Sequence, residues 1–204
     1  VRRELGEDPD FVTRFSDEAR IVSTLSHSNI AQVFDFGQVE GEYFLAMELI
    51  EGPDLGAMMA ACERAQHPVP IPTAIYLAAE AARGLGAAHL RQDDSGRRAP
   101  VVHRDVSPQN VIVSRTGEVK VVDFGIAKAA EKALRTRTGM IIGKCRYMAP
   151  EQATGQPVDA RADIWSAGCV LFELLTGEAL FADSTPQRSL RSIIDAPIPT
   201  LREV

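Results

Sequence analysis

The sequence predicts an α+β fold in which a small strand-containing part precedes a larger, mainly helical part. Two short β-branched runs, 111–113 and 119–122, flank a Gly-containing turn and predict a hairpin. A second pair of strand-like runs, 30–36 and 43–49, lies within the first 50 residues. The chain breaker Glu51-Gly52-Pro53 indicates a linker, and a cleft between two such parts is a common place for a ligand.

The helices are predicted from apolar spacing and from start signals. Asp8-Pro9-Asp10 combines an acidic cap with a proline at the first helical position, and apolar residues then recur at helical spacing over 9–25. Residues 72–90 are Ala-rich and helical. Residues 163–176 are hydrophobic almost all round, which predicts a buried helix.

Two stretches carry no clear pattern. Residues 126–150 are rich in Lys, Arg, Thr and Gly without periodicity, and they are predicted to form a long mobile segment. A loop of that length in a compact domain is usually functional or disordered. The tail, 182–204, is interrupted by prolines, and its pattern favours neither a helix nor a strand.

Composition narrows the functional classes. The chain has 204 residues, 45% of them hydrophobic, and a net charge of -6, which gives no electrostatic footprint for nucleic acid or anionic lipid. No apolar run reaches membrane-spanning length. The three cysteines lack C-x-x-C spacing, which fits free thiols in a reducing compartment. We therefore expect a cytoplasmic domain with no nucleic-acid partner and no membrane segment of its own. This expectation is compatible with a full-length protein that is anchored to a membrane by other residues.

The central hairpin is predicted to bring three polar side chains together. Asn110 precedes its first strand and Asp123 follows its second, so the two lie side by side. One amide oxygen and one carboxylate suit Mg²⁺, which prefers oxygen ligands and shares them with substrate phosphates. Asp105 lies close to the same spot and is a candidate general base. The alternative is two surface acids and an Asn in turns.

These residues closely resemble the eukaryotic-like protein kinase family, and specifically its bacterial Ser/Thr members. The matching motifs are His-Arg-Asp…Asn at 103–110, Asp-Phe-Gly at 123–125, Ala-Pro-Glu at 149–151 and Asp-x-Trp-Ser-x-Gly at 163–168. Four motifs in the right order are far more specific than any one tripeptide. The resemblance implies a protein-kinase-like two-lobe fold, with a partial N-lobe at 1–50 and, at 51–204, a C-lobe that lacks its last helices.

The resemblance implies a role for each residue of the central site. Asp105 would orient the substrate hydroxyl and accept its proton, while Asn110 and Asp123 would hold Mg²⁺ on the phosphates of ATP. The sequence Ser107-Pro108-Gln109-Asn110 is similar to the Ser/Thr pattern and differs from that of tyrosine kinases. Protein substrates with Ser or Thr acceptors are therefore the expected partners.

Arg104 implies regulation of the mobile segment by phosphorylation. In the family, an Arg next to the catalytic Asp accompanies kinases that are switched in this way, because an added phosphate can be clamped by Arg. Thr136 and Thr138 lie between Asp123 and Glu151 and are the candidate sites. The alternative is that they are ordinary loop hydroxyls.

The N-terminal part carries the residues that would contact the nucleotide. Glu18 is similar to the first-helix glutamate of the family, which pairs with a lysine on the preceding strand. Met47 matches the residue at the back of the adenine pocket, and the carbonyl of Glu48 and the amide of Ile50 would hydrogen-bond adenine. The alternatives are a solvated charge for Glu18 and ordinary core packing at a strand end.

Two departures from the family pattern occur together. Ser107 stands where Ser/Thr kinases usually carry Lys, and Gly143-Lys144 stands where they usually carry Gly-Thr. In the family these two side chains touch each other and the transferred phosphate. We therefore hypothesise that Lys144 supplies the cation that Ser107 lacks; the alternative is two independent substitutions.

The glycine-rich phosphate loop and the strand lysine of the family are absent from these 204 residues. We expect a Ser/Thr protein kinase seen as a fragment, with weak ATP binding and little phosphotransfer in isolation. One alternative is a non-catalytic scaffold, against which the intact Asp105, Asn110 and Asp123 argue. Another is a small-molecule phosphotransferase, and Ala149-Pro150-Glu151 favours a protein substrate instead.

Overall fold

A computed structural model of the chain describes residues 9–124, 144–182 and 185–199. Within these ranges a small N-terminal unit of one helix and one hairpin is followed by a larger unit of helices around a second hairpin. The helices are α1 (Pro9–Ser23), α2 (Leu55–Arg64), α3 (Ile71–His89), α4 (Pro150–Ala153), α5 (Ala160–Thr176) and α6 (Pro186–Asp195). The strands are β1 (Val33–Val39), β2 (Glu42–Met47), β3 (Val111–Val113) and β4 (Val119–Val121), and 3₁₀ turns occur at Pro108–Asn110 and Lys144–Tyr147.

The first hairpin, β1–β2, is antiparallel and lies against α1. Its strands are joined by Glu40 and Gly41, which have φ of +51° and +81°. Two successive left-handed residues give a turn whose twist matches that of the strands. Phe15 of α1 is buried and meets the ring of Tyr43 edge-on, with 6.0 Å between ring centroids. This aromatic contact fixes the helix on the hairpin.

Side-chain caps start three of the helices in the larger unit. The carboxylate of Asp54 accepts from the amide of Ala57 (2.7 Å) at α2, that of Asp159 from Arg161 (2.9 Å) at α5, and the hydroxyl of Thr185 from Arg188 (3.3 Å) at α6. Each contact satisfies an amide that has no partner inside the helix. In the described ranges, no helix combines the length and the apolar character that crossing a membrane requires.

The second hairpin, β3–β4, has hydrogen bonds along both outer edges. On the β3 side, the amide of Val113 donates to the carbonyl of Pro53 (2.9 Å) in the linker before α2. On the β4 side, Val121 receives a bond from the amide of Ala31 (3.0 Å) and donates to the carbonyl of Asn29 (2.9 Å). The loop after α1 and the linker therefore enclose this hairpin and join the two units.

One hydrophobic core runs through both units. It includes apolar residues of the N-terminal helix and first strand as well as residues of the second hairpin, α3 and α5. Its buried members include Val22, Val33, Leu55, Leu77, Leu85, Val111, Val121, Phe124, Val170 and Leu174. The relative placement of the two units is thus set by shared apolar burial as well as by the hydrogen bonds along the hairpin.

Three predicted helices and the central hairpin are confirmed, but one strand was wrongly placed. The strand expected over 30–36 is Val33–Val39, because Ile30 and Ala31 pair with β4 instead. The helix expected to be apolar all round has one exposed face, on which Ile164 is 66% exposed.

Three helices were not predicted: α2, α4 and α6. The cap of α2 follows the chain breaker Gly52-Pro53 directly, so the linker signal masked the helix start. α6 lies in the proline-punctuated tail, where Pro186 occupies its first turn. Residues 126–143 of the expected mobile segment lie outside the described residues, whereas 144–150 form a 3₁₀ turn and the start of α4.

Two glycines in α3 offer a matched test of close packing. A Cβ at Gly84 would lie 2.6 Å from the backbone oxygen of Asn29, whereas a Cβ at Gly86 would meet nothing within 4 Å. We expect Gly84→Ala to lower the free energy of unfolding by about 1–3 kcal/mol through overpacking. Gly86→Ala should raise it by about 0.5–1 kcal/mol through helix propensity. Urea unfolding measures both, and equal effects would contradict the packing argument.

Candidate active site

The loop 103–110, termed the catalytic loop from here, is fixed by one buried carboxylate. Asp163 of α5 is completely buried and accepts hydrogen bonds from the amide of His103 (2.8 Å) and the amide of Arg104 (2.7 Å). It also contacts the Nε2 atom of His89 at 2.7 Å. A buried charge is tolerated when donors surround it. Asp163 therefore determines the path of the backbone that enters Asp105.

His103 is a structural imidazole in the interior. Burial lowers its pKa, against smaller opposing effects of the Val122 carbonyl and nearby carboxylates. A neutral ring has one donor and one acceptor: Nε2 donates to the carbonyl of Val122 (2.9 Å), and Nδ1 accepts from the amide of Asp105 (3.2 Å). The ring also packs on Phe124, with 4.6 Å between centroids.

Asp105 and Asn110 are in direct contact. The side-chain nitrogen of Asn110 donates to the backbone carbonyl of Asp105 (2.8 Å) and to its carboxylate (3.1 Å). The backbone carbonyl of Asn110 accepts from the amide of Val122 (3.0 Å), one residue before Asp123. The hairpin thus brings the ends of its two strands together, and the side-chain oxygen of Asn110 is the atom of its amide that remains for a cation.

Two residues of the site have left-handed backbone conformations. Arg104 has φ of +66° and Asp123 has φ of +59°. Asp tolerates this region better than most residues, whereas Arg does not. Such conformations cost about 1–3 kcal/mol and persist where the surroundings over-determine them, often at functional sites.

The segment after β2 is tied to the second hairpin by an ion pair. Lys120 of β4 reaches both carboxylate oxygens of Glu48, at 2.7 and 3.0 Å. The amide of Gln32 donates to the same carboxylate (3.1 Å). Burial alone would raise the pKa of Glu48, but these hydrogen bonds and the charge of Lys120 lower it. Met47 is half-buried against the core, and Ile50 is half-buried two residues after Glu48.

The remaining predicted residues are placed less completely. Glu18 lies on α1 and is half-buried, and the side chain of Arg104 is exposed. Lys144 begins the 3₁₀ turn Lys144–Tyr147, and its side chain lies outside what the structure describes. Ser107 is 1% exposed, and its hydroxyl has no hydrogen-bond partner among the described groups. Thr136 and Thr138 lie outside the described residues.

A cavity of about 740 Å³ lies beside the catalytic loop, not at its centre. Residues of α2, the loop after it and the end of α5 line it, and it reaches the catalytic loop at Gln109 without including Asp105 or Asp123. At its wall the Tyr147 hydroxyl donates to Glu173 (2.7 Å), and burial together with this carboxylate raises the pKa of Tyr147. The chemistry predicted from the motifs therefore does not lie in this cavity.

Sequence reasoning missed three contributions to the site. The role of Asp163 had one sequence signal, its position as the first residue of the Asp-x-Trp-Ser-x-Gly motif at 163–168. The pairing of Lys120 with Glu48 had none, since these residues are far apart in the chain. The role of Gln152 was not predicted either: its side chain hydrogen-bonds both the carbonyl of Arg104 and the amide of Ala149 at the start of α4.

A small sheet-bearing unit, a helical unit, and a His-Arg-Asp loop held by a buried helix carboxylate define the protein kinase class of folds. The chain belongs to the protein kinase domain family, whose model matches residues 3–203. It is similar in structure to the kinase domain of PknI from Mycobacterium tuberculosis. With the double mutant of that domain the TM-score is 0.68 and the identity 27%, over 90% of this chain and 62% of the other.

Several kinases are similar in sequence over 98% of the chain. They are the tyrosine-protein kinase MasK of Myxococcus xanthus (42% identical), the serine/threonine-protein kinase PknB of Mycobacterium leprae (38%) and the serine/threonine-protein kinase PknA of Mycobacterium tuberculosis (37%). The chain spans 31% of the length of MasK, 31% of PknB and 45% of PknA.

Removal of the buried carboxylate should unfold the catalytic loop. Asp163→Ala leaves the amides of His103 and Arg104 without their acceptor, and each unsatisfied donor costs about 1–3 kcal/mol. The control is Asp159→Ala, which removes an exposed cap of the same helix and should cost about 1 kcal/mol. Thermal and urea unfolding compare the two. A loss at Asp163 no larger than that at Asp159 would contradict the anchoring role.

Proposed function

We propose that the chain is catalytic sequence of a serine/threonine protein kinase, which transfers the γ-phosphate of ATP to Ser and Thr hydroxyls of proteins. The observation that carries this proposal is the contact of Asp105 with Asn110 at the end of the second hairpin. It places a candidate base beside an amide that can face a cation. The family and its Ser/Thr kinase relatives support the same reaction.

Asn110 and Asp123 are the proposed ligands of Mg²⁺, and the arrangement fits this ion. The side-chain nitrogen of Asn110 donates to Asp105, so the side-chain oxygen of Asn110 is the atom available to the ion. The Asp123 carboxylate is exposed at the neighbouring strand end. Mg²⁺ prefers such oxygen ligands and shares its coordination with phosphates. When bound, Mg·ATP supplies a γ-phosphoryl group whose charge is neutralised.

The chain's own residues then position and deprotonate the acceptor. Asp105 orients the substrate hydroxyl and accepts its proton, and the hydrogen bond from Asn110 holds the carboxylate in place. The carbonyl of Glu48 and the amide of Ile50 are proposed to bind adenine in front of Met47. The Glu48–Lys120 ion pair supports this, because it fixes the segment against the strand that leads to Asp123.

The choice of Ser/Thr as acceptor rests on the catalytic loop and on the relatives. Ser107-Pro108-Gln109-Asn110 is similar to the Ser/Thr pattern, and PknA and PknB are named serine/threonine kinases. MasK is named a tyrosine kinase. Because this relative and the loop point to different acceptors, the identity of the phosphorylated residue is the decisive measurement for this part of the proposal.

The two units correspond to the proposed lobes. Residues up to about 50 would form part of the N-lobe, in which Glu18 pairs with a strand lysine, and residues from 51 onward would form the C-lobe. Arg104 would receive a phosphate carried by Thr136 or Thr138. We propose a cytoplasmic location, where ATP and protein substrates are available and Cys62, Cys145 and Cys169 stay free.

Asp105→Asn tests the proposed reaction. In the protein with its natural flanking sequence, the variant should lose about 10²–10⁴-fold in kcat, because a positioned base contributes that much, and should keep its affinity for Mg·ATP. Asp94→Asn, in an exposed loop, is the matched control and should retain activity. Phosphoamino-acid analysis of a labelled protein substrate should yield phosphoserine or phosphothreonine. Phosphotyrosine as the only product would contradict Ser/Thr as the acceptor. Full activity of Asp105→Asn would contradict the proposed role of Asp105 as the base.

Lys144→Ala tests whether a cation has moved to this position. If Lys144 contacts the transferred phosphate, its loss should reduce kcat about 10²-fold, the typical effect of one donor to developing charge. Adding Ser107→Lys to the same variant should restore much of the rate, since the family usually carries Lys at this site. Unchanged kcat in Lys144→Ala would show that the two substitutions are independent.

A further inference from the structure

Gln152 connects the start of α4 to the catalytic loop through both groups of its side-chain amide. Its oxygen accepts from the amide of Ala149 (3.1 Å), and its nitrogen donates to the carbonyl of Arg104 (2.8 Å). The side chain is 7% exposed. Because Ala149 N–H can only donate and the Arg104 carbonyl can only accept, the orientation of this amide is determined by its partners.

The peptide group between Arg104 and Asp105 is held at both ends. Gln152 donates to its oxygen, and its N–H donates to Nδ1 of His103 at 3.2 Å. The preceding N–H, that of Arg104, is held by Asp163 at 2.7 Å. Two successive peptide groups are therefore fixed in rotation immediately before the Cα atom of Asp105.

The conformation that these contacts maintain is unfavourable on its own. Arg104 has φ of +66°, a region that a residue with a long side chain rarely adopts. Without a donor at its carbonyl, the peptide before Asp105 can rotate toward an ordinary conformation. Because the side chain of Asp105 is attached to the next Cα atom, such a rotation would move its carboxylate away from Asn110.

We propose that Gln152 is a positioning residue for Asp105, acting through the carbonyl of Arg104. The catalytic meaning of this inference rests on the proposed kinase function, since it assigns Gln152 to the geometry of the same base. It also makes α4 and the catalytic loop one mechanical unit, because a single buried amide satisfies a backbone group of each.

The first test compares two glutamines changed in the same way. Gln152→Glu keeps the acceptor for Ala149 but replaces the donor to Arg104 by a second oxygen. We expect kcat to fall about 10–100-fold, the effect of a small misplacement of a catalytic group, with the KM for ATP nearly unchanged. Gln156→Glu adds the same charge at an exposed site and should leave kcat unchanged. An unchanged kcat in Gln152→Glu would overturn the proposal.

The second test separates positioning from a general structural role. If Gln152 acts through Asp105, then Gln152→Glu should add little to the loss caused by Asp105→Asn, whereas independent effects would multiply and overturn the proposal. Gln152→Met, an uncharged variant of similar length, replaces Gln152→Glu if that protein does not fold.

A readout without catalysis completes the design. Hydrogen exchange of backbone amides in 103–106 should become severalfold faster in Gln152→Met, with exchange in α3 unchanged, because the loop loses one of its fixed groups. Unaltered exchange in 103–106 would overturn the inference. If the full-length unmodified protein transfers no phosphate, the proposed function fails, and this measurement still decides whether Gln152 holds the loop.

Discussion

The arrangement of the site depends on the hydrogen bonds that the carboxylate of Asp163 accepts. This carboxylate is completely buried, and it is stable there because two backbone amides of the catalytic loop and the ring of His89 surround it. The dependence is mutual, since those amides lie where few other acceptors could reach them. The helix α5 thus dictates, through Asp163, where the backbone turns before Asp105.

Around that anchor, the site is assembled from elements that are remote in sequence. α5 holds the N–H groups of His103 and Arg104, the second hairpin supplies the carbonyl that binds His103, and Asn110 holds Asp105. A neutral, buried His103 suits this position, because its two ring nitrogens serve one acceptor and one donor without adding charge. The left-handed conformation of Arg104 is sustained by this excess of constraints and not by the preference of the residue.

The sequence was sufficient for features that rest on local pattern. The β-branched runs around Thr116-Gly117 identified the central hairpin, at whose end the amide of Val122 donates to the carbonyl of Asn110. Helix α3 and the buried helix α5 followed from their apolar content.

What could not be predicted depends on contacts between distant segments. Ile30 leaves the first hairpin because β4 offers it a backbone partner, so strand propensity alone misplaced β1. Lys120 and Glu48, and likewise Gln152 and Arg104, are ordinary polar residues until the fold brings each pair together.

The covered edges of the second hairpin have a consequence for the solubility of the protein. Each of its strands has three residues, too few for an isolated hairpin to be stable, and its outer hydrogen bonds go to Pro53 on one side and Asn29 on the other. Detachment of the linker would bare a row of apolar, β-branched residues with unpaired amides and carbonyls. Such an edge recruits strands from other chains. The segments that bring the two units together therefore also protect the chain against aggregation.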